Sequence, residues 1–297
     1  MLARAALILG LVAIASVAQS ARLYGLTDSG QIAVFDSASG ERLNTLGNTV
    51  DLKLFSSGSL AVGPDGYVYG LTETGGVRAF DPATGELVSS FDAGFFEGGS
   101  IAFGAGGNLY GLGPTGDILV YDPTSGVLVN GFDGNALYES GSIAFGPDGN
   151  LYGLTGGGQV QVFDPSTGTL LDTFPSGVSG LLWGPGSIAF GPDGNIYGLN
   201  GSNQIRALNP ASGADLHTFG RVWPYGSIAF GPDGLLYALD DHGQVVAYSP
   251  VTGDLVNTIP AGLWEYGSLA VPESWLQLAA LLGVMLTLLA RTSRRLS

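Results

Sequence analysis

Two histidines, His217 and His242, and no cysteine stand in the 297 residues. Thiol catalysis and disulfides are excluded. Histidine acid–base work would rest on those two positions alone. His217 lies in a short alternating run that reads as an outer strand, hence a solvated edge. His242 follows Asp240 and Asp241 in a loop, with no serine or further ligand at a spacing that makes a triad or a zinc site. Asp28, Glu73 and Asp117 fall in equivalent loops. Oxygen ligands of this kind suit Ca²⁺, but they are scattered over separate repeats and form no compact loop of alternating acids. No catalytic residue, metal or cofactor is therefore expected. Aromatic side chains remain: Phe95 and Phe96, Tyr138, Trp183, Trp223 and Tyr225, and Trp264 and Tyr266, each just ahead of a Gly-Ser pair. Aromatics gathered outside a core suit stacking on sugar rings or contact with a protein.

The elements that carry them repeat. The pattern Gly-Ser-(Ile/Leu)-Ala places its serine at Ser59, Ser100, Ser142, Ser187, Ser227 and Ser268, 40 to 45 residues apart. A tyrosine in a Leu-Tyr-Gly-Leu-like run also recurs six times, from Tyr24 to Tyr237. One unit, residues 141–174, divides into four short strands, a to d: SIAF, NLYGL, QVQVFD and TLLDTF. Gly-Pro-Asp-Gly joins a to b and Asp-Pro-x-Thr-Gly joins c to d, both tight-turn signals. Asp65, Asp148, Asp193 and Asp233 then belong to turns, and a serine that returns once per unit is a structural position rather than a nucleophile. Four-stranded repeats of about 40–50 residues are propeller blades. The first unit lacks strand a and the last, at Leu269, has only strand a. The expected fold is all-β: a six-bladed β-propeller over residues 21–271, closed by pairing the two end segments. Strand a should line the central channel. The short a–b and c–d turns share one face, and the longer b–c and d–a links share the other, where binding is expected.

The 50 glycines punctuate the strands, and the formal net charge is −15. Between Arg22 and Ala270 stand 24 of the 25 acids and six bases. Such a surface repels phosphate backbones, so no nucleic acid partner is expected. Residues 1–20 have the charged start, apolar run and small-residue end of a secretory signal peptide. Residues 275–290 are nearly all apolar, about 24 Å as a helix. They read as a short transmembrane helix, with Arg291, Arg294 and Arg295 on the cytoplasmic side.

The order Val271-Pro272-Glu273-Ser274, apolar helix, arginine cluster resembles the PEP-CTERM sorting signal of Gram-negative bacteria, with Ser274 where a second proline is usual. The resemblance covers residues 272–297 and the preceding Val271. It implies an exosortase-type processing enzyme as partner and export across the inner membrane. C-terminal anchoring follows, then a cell-surface or extracellular location beside polysaccharide. The repeat itself resembles NHL-type propellers in its Gly-x-Ala-Phe-x-x-Asp-Gly-Asn-(Leu/Ile)-Tyr run, and quinoprotein-like repeats in its Asp-Pro-x-Thr-Gly-x-Leu turn. These are turn-and-strand signatures and carry no activity by themselves. The expected function is a non-catalytic binding or scaffold module for a glycan or a surface protein, acting through the b–c and d–a face. The alternative is a propeller hydrolase or lactonase, or a quinoprotein-like oxidoreductase. At least three acids or amides converging in the channel would decide for the enzyme.

Overall fold

The computed structural model describes residues 22–174 and 182–272. The expected signal peptide, transmembrane span 275–290 and sorting motif from Glu273 onward lie outside the described residues. No helix among those described is long and apolar enough to cross a membrane.

Among the described residues, twenty-four strands form six separate four-stranded antiparallel sheets. Blade 1 joins β24 (Leu269–Ala270) to β1 (Arg22–Leu26), β2 (Ile32–Asp36) and β3 (Arg42–Leu46). Its register sets Tyr24 against Ala270 and Gly25 against Leu269, the expected seal between the two ends. Blade 2 holds β4–β7 in residues 60–91, and blade 3 holds β8–β11 in residues 101–132. Blade 4 is β12 (Ile143–Phe145), β13 (Leu151–Leu154), β14 (Val160–Phe163) and β15 (Leu170–Thr173). Blades 5 and 6 hold β16–β19 in residues 188–219 and β20–β23 in residues 228–259.

The turns work as their residues dictate. In blade 4, Asp148 Oδ1 accepts Asn150 N–H at 3.1 Å, and Gly149 takes φ +83°. The same carboxylate reaches the core: Tyr152 Oη donates to Asp148 Oδ2 at 2.9 Å, and Tyr69, Tyr197 and Tyr237 repeat the bond to Asp65, Asp193 and Asp233. Burial first, then the carboxylate, raises these four phenols well above their ordinary pKa. Every c–d pair carries a register shift, as between Val162 and Phe163. Such bulges strengthen the blade's twist.

Six apolar clusters fill the six seams between blades. Ile143, Phe163 and Tyr110 share one, and Tyr152, Phe174 and Phe190 share the next. The serines are stitches across the seams. Ser142 Oγ accepts the N–H of Ile188 in the next blade at 3.2 Å, and Ser268 Oγ accepts that of Leu60 at 3.0 Å. Ser59 and Ser187 do the same for Ile101 and Ile228. The outer strand d stays uncovered, and Val127, Leu128 and Val129 of β11 (Val127–Phe132) are about half exposed.

Candidate functional site

The channel is lined by strand a of all six blades: Ser-Ile-Ala-Phe in four, Ser-Leu-Ala-Val in blades 1 and 2. No acid, amide, histidine or base is among these side chains, and the volume is about 150 Å³. Ligand sites usually enclose about 300–1,000 Å³. A quinone cofactor needs cations for its carboxylates, and the channel supplies only serine hydroxyls and apolar side chains, so its residues do not fit one.

The d–a links build the opposite face. Among the described residues, four of them span a seam with two consecutive backbone bonds, whereas Leu137 N–H turns to Gly134 O within its own link. Leu54 N–H reaches back to Gly30 O at 2.8 Å, and Phe55 N–H reaches forward to Leu71 O at 2.8 Å. The forward bond recurs from Phe96, Tyr138, Trp183, Trp223 and Trp264, at 2.7–3.0 Å. Six aromatics thus hold one equivalent position, each four residues before the blade's serine. Phe55 completes this ring and was not among the expected residues, although the four-residue spacing could have found it.

Phe95 is a correction. It precedes the ring position, is 3% exposed, and presses on Gly111, where a Cβ would lie 2.5 Å from Phe95 Cε1. It is a core plug, equivalent to Leu54 over Gly70, Leu137 over Gly153, Leu182 over Gly198 and Leu263 over Gly25. In blade 6 strand b has Ala238 instead of glycine, and the plug shrinks to Val222 in the same cluster.

The remaining expected aromatics lie on the loop face, unevenly. Trp183, Tyr225, Trp223, Tyr266 and Trp264 form an unbroken series of ring contacts, with centroids 5.5–5.9 Å apart. Trp183, Tyr225 and Tyr266 are 36–42% exposed. The series crosses three consecutive links because Tyr225 and Tyr266 add a second ring, two residues before the serine, where other links have Ser57, Gly98, Ser140 or Pro185. Trp264 Nε1 donates to Ser57 Oγ at 3.2 Å. Trp223 has Tyr266 at the equivalent place, edge-on at 5.7 Å, and its buried Nε1 has no acceptor among the described residues. Phe96 and Tyr138 stand half-buried on the other side of the ring.

Asp240, Asp241 and His242 bring ligand atoms within 4.8 Å of one another. Asp240 Oδ1, however, accepts the N–H of His242 at 2.8 Å and of Gln244 at 2.9 Å, which makes it a turn residue. His242 Nδ1 lies 2.7 Å from Asp241 Oδ1, both exposed. Asp117 accepts the Thr115 hydroxyl at 2.6 Å. His217 departs from the solvated-edge expectation: it is half-buried, stacks on Phe219 at 5.3 Å, and its Nε2 lies 2.9 Å from Pro250 O in blade 6.

A family profile described as outer membrane protein assembly factor BamB matches residues 73–214, just under half of the chain. A crystal structure of a protein of unknown function from Bacteroides caccae superposes with a TM-score of 0.61 at 16% identity, covering 86% of this chain and 100% of that one. The chain folds as a six-bladed β-propeller, and its residues 73–214 are similar to that family. Solved structures that match number 1456, so the likeness selects a fold and no activity. No curated protein matches this propeller.

Proposed function

We propose that this quinoprotein-like propeller is an exported, non-catalytic binding module that holds an extracellular polysaccharide across its aromatic series. A surface protein is the alternative ligand. The observation that carries this reading is the continuity of five rings over three links, three of them more than a third exposed. Exposed aromatic rings offer apolar surface to sugar units, and aromatic side chains anchor interfaces well. The channel favours this reading over the hydrolase or oxidoreductase alternative, since its lining has no group to move a proton or hold a cofactor.

The proposed address fits the exit of the chain. Strand a runs from the loop face to the turn face, so Pro272 leaves β24 on the side opposite the aromatics. A tail anchored through residues 275–290 and sorted by the Val271–Ser274 motif and its arginines would leave the aromatic face pointing away from the membrane. An exosortase-type enzyme is the proposed processing partner. The name of the matching family, an assembly factor, agrees with a scaffold role.

Glycan-array binding by the purified chain tests the reading. Trp223→Ala and Trp264→Ala are each expected to weaken binding by about 1–3 kcal/mol, roughly fivefold to 150-fold. Binding that survives both substitutions removes the aromatic series from the site. Metal-dependent lactone hydrolysis by the same preparation would overturn the non-catalytic reading.

A further inference from the structure

We infer that the cleft between blades 4 and 5 on the loop face is a subsite for one neutral pyranose unit, with Trp183 as its stacking wall. This rests on the loop face being a glycan-binding surface, and it names where one end of the ligand sits. The cleft has a volume of about 360 Å³, and Gly156, Gly157, Trp183, Asn200, Gly201 and Ser202 contribute to its lining. That volume falls within the usual range for small-molecule sites, about 300–1,000 Å³, whereas the channel's does not.

The cleft exists because two blades break the repeat. At the second position of the b–c link, four blades carry Asp28, Glu73, Pro114 and Asp241, while blades 4 and 5 carry Gly156 and Gly201. The backbone does not demand glycine at either place, since neither has a positive φ. Among the described residues, the nearest atom to a Cβ built on Gly156 would be Tyr138 Cδ2 at 3.6 Å, and on Gly157 Thr155 Oγ1 at 3.8 Å. Both are ordinary contacts. Among the described residues, these glycines leave the backbone open to approach. At Gly201 a Cβ would lie 3.4 Å from Trp183 Cε3, so the indole lies against bare backbone.

The chemistry of the lining selects the ligand. No ionisable side chain contributes to it. Asn200 is 8% exposed, and its Oδ1 accepts Ser202 N–H at 2.9 Å and Gln204 N–H at 3.0 Å. The amide is thereby held in place, and Ser202 lines the cleft beside it. An apolar ring face next to neutral hydrogen-bonding groups matches the C–H face and hydroxyls of a pyranose. The surrounding negative charge disfavours anionic sugars. Trp183 meets Tyr225 edge-on at 5.8 Å, so a chain leaving the subsite passes directly onto the rest of the aromatic series.

The test uses the purified full chain with methyl hexopyranosides as single-unit probes and neutral linear oligosaccharides as chain probes, read by saturation-transfer NMR and calorimetry. The expected monosaccharide Kd is on the order of 1 mM. Gly157→Leu fills the cleft. Gly156→Asp copies the link of blades 1 and 6, so the fold already accommodates that residue. Each should weaken monosaccharide binding about tenfold or more. Val251→Ser, in an exposed turn on the opposite face, should leave monosaccharide affinity within about twofold. Unchanged monosaccharide affinity in both glycine variants overturns the subsite, as does a preference for uronic acids. Oligosaccharide binding without any monosaccharide binding also removes the subsite and leaves the aromatic series standing. Loss of both kinds of binding in the unmodified chain overturns the two readings together.

Discussion

Gly153 in β13 has no positive φ, and the Leu137 side chain laid across it is what forbids a Cβ there, only 2.6 Å away. Gly153→Ala is expected to cost about 1–3 kcal/mol in urea denaturation, as overpacking does. Blade 6 supplies the remedy, since its Ala238 is matched by Val222. Adding Leu137→Val to Gly153→Ala should therefore recover much of the loss. A double mutant no more stable than the single would refute the plug pairing. Ser142 is buried and its Oγ bonds across a seam, so Ser142→Ala should cost about 1–3 kcal/mol by leaving the Ile188 N–H unpaired.

The tyrosine–aspartate pairs set a pH dependence. Their phenols have folded pKa values above the ordinary value of about 10. Above pH ~10 the unfolded chain releases these protons before the folded one does, so stability is full below that pH and falls above it. Tyr152→Phe should flatten the fall, measured as denaturation midpoints between neutral pH and pH 11. An unaltered slope would show that Tyr152 does not contribute.

At the scale of the element, the blade was legible because each strand is bounded by its own turn chemistry. Gly-Pro-Asp-Gly and Asp-Pro-x-Thr-Gly fix both hairpins, and the strands between them matched the expected segments to within a residue or two. The c–d bulges were not legible, since no special residue marks them. The d–a links were read only by composition. That reading grouped Phe95 with Phe96, although adjacent residues there point to opposite fates, one into the seam and one onto the face. It also missed Phe55, whose link has a single aromatic and a short 3₁₀ turn at Val50–Leu52. Nothing in the residue types near His217 announced Pro250, because that contact crosses to another blade. The ring contacts among Trp223, Tyr225 and Tyr266 depend on the spacing of neighbouring links, which only the closed ring sets. Tyr266→Ser gives a test at this scale. It places a hydroxyl where Ser57 serves Trp264, so it should weaken glycan binding while leaving the thermal midpoint unchanged or higher. A large fall in stability would mean that the ring is packing rather than platform.

The whole molecule depends on blade 1, the one sheet drawn from both ends. A chain ending after Gly267 loses β24, exposes the inner edge of β1 and leaves Leu60 N–H without Ser268. Open edges recruit other chains. That truncation should lower the denaturation midpoint and cause concentration-dependent light scattering, whereas removal of residues 273–297 alone should do neither. Equal behaviour of the two truncations would count against the seal.

The pairing of Tyr24 with Ala270 also has a consequence in time. A ribosome makes β1 first and β2 directly after it, but the partner of the inner edge of β1 follows only after five further sheets. The nascent protein can mature almost everywhere except at its own beginning. Whatever delays the arrival of Leu269 and Ala270 keeps the inner edge of the starting strand open, so this short strand acts as the latch of the ring.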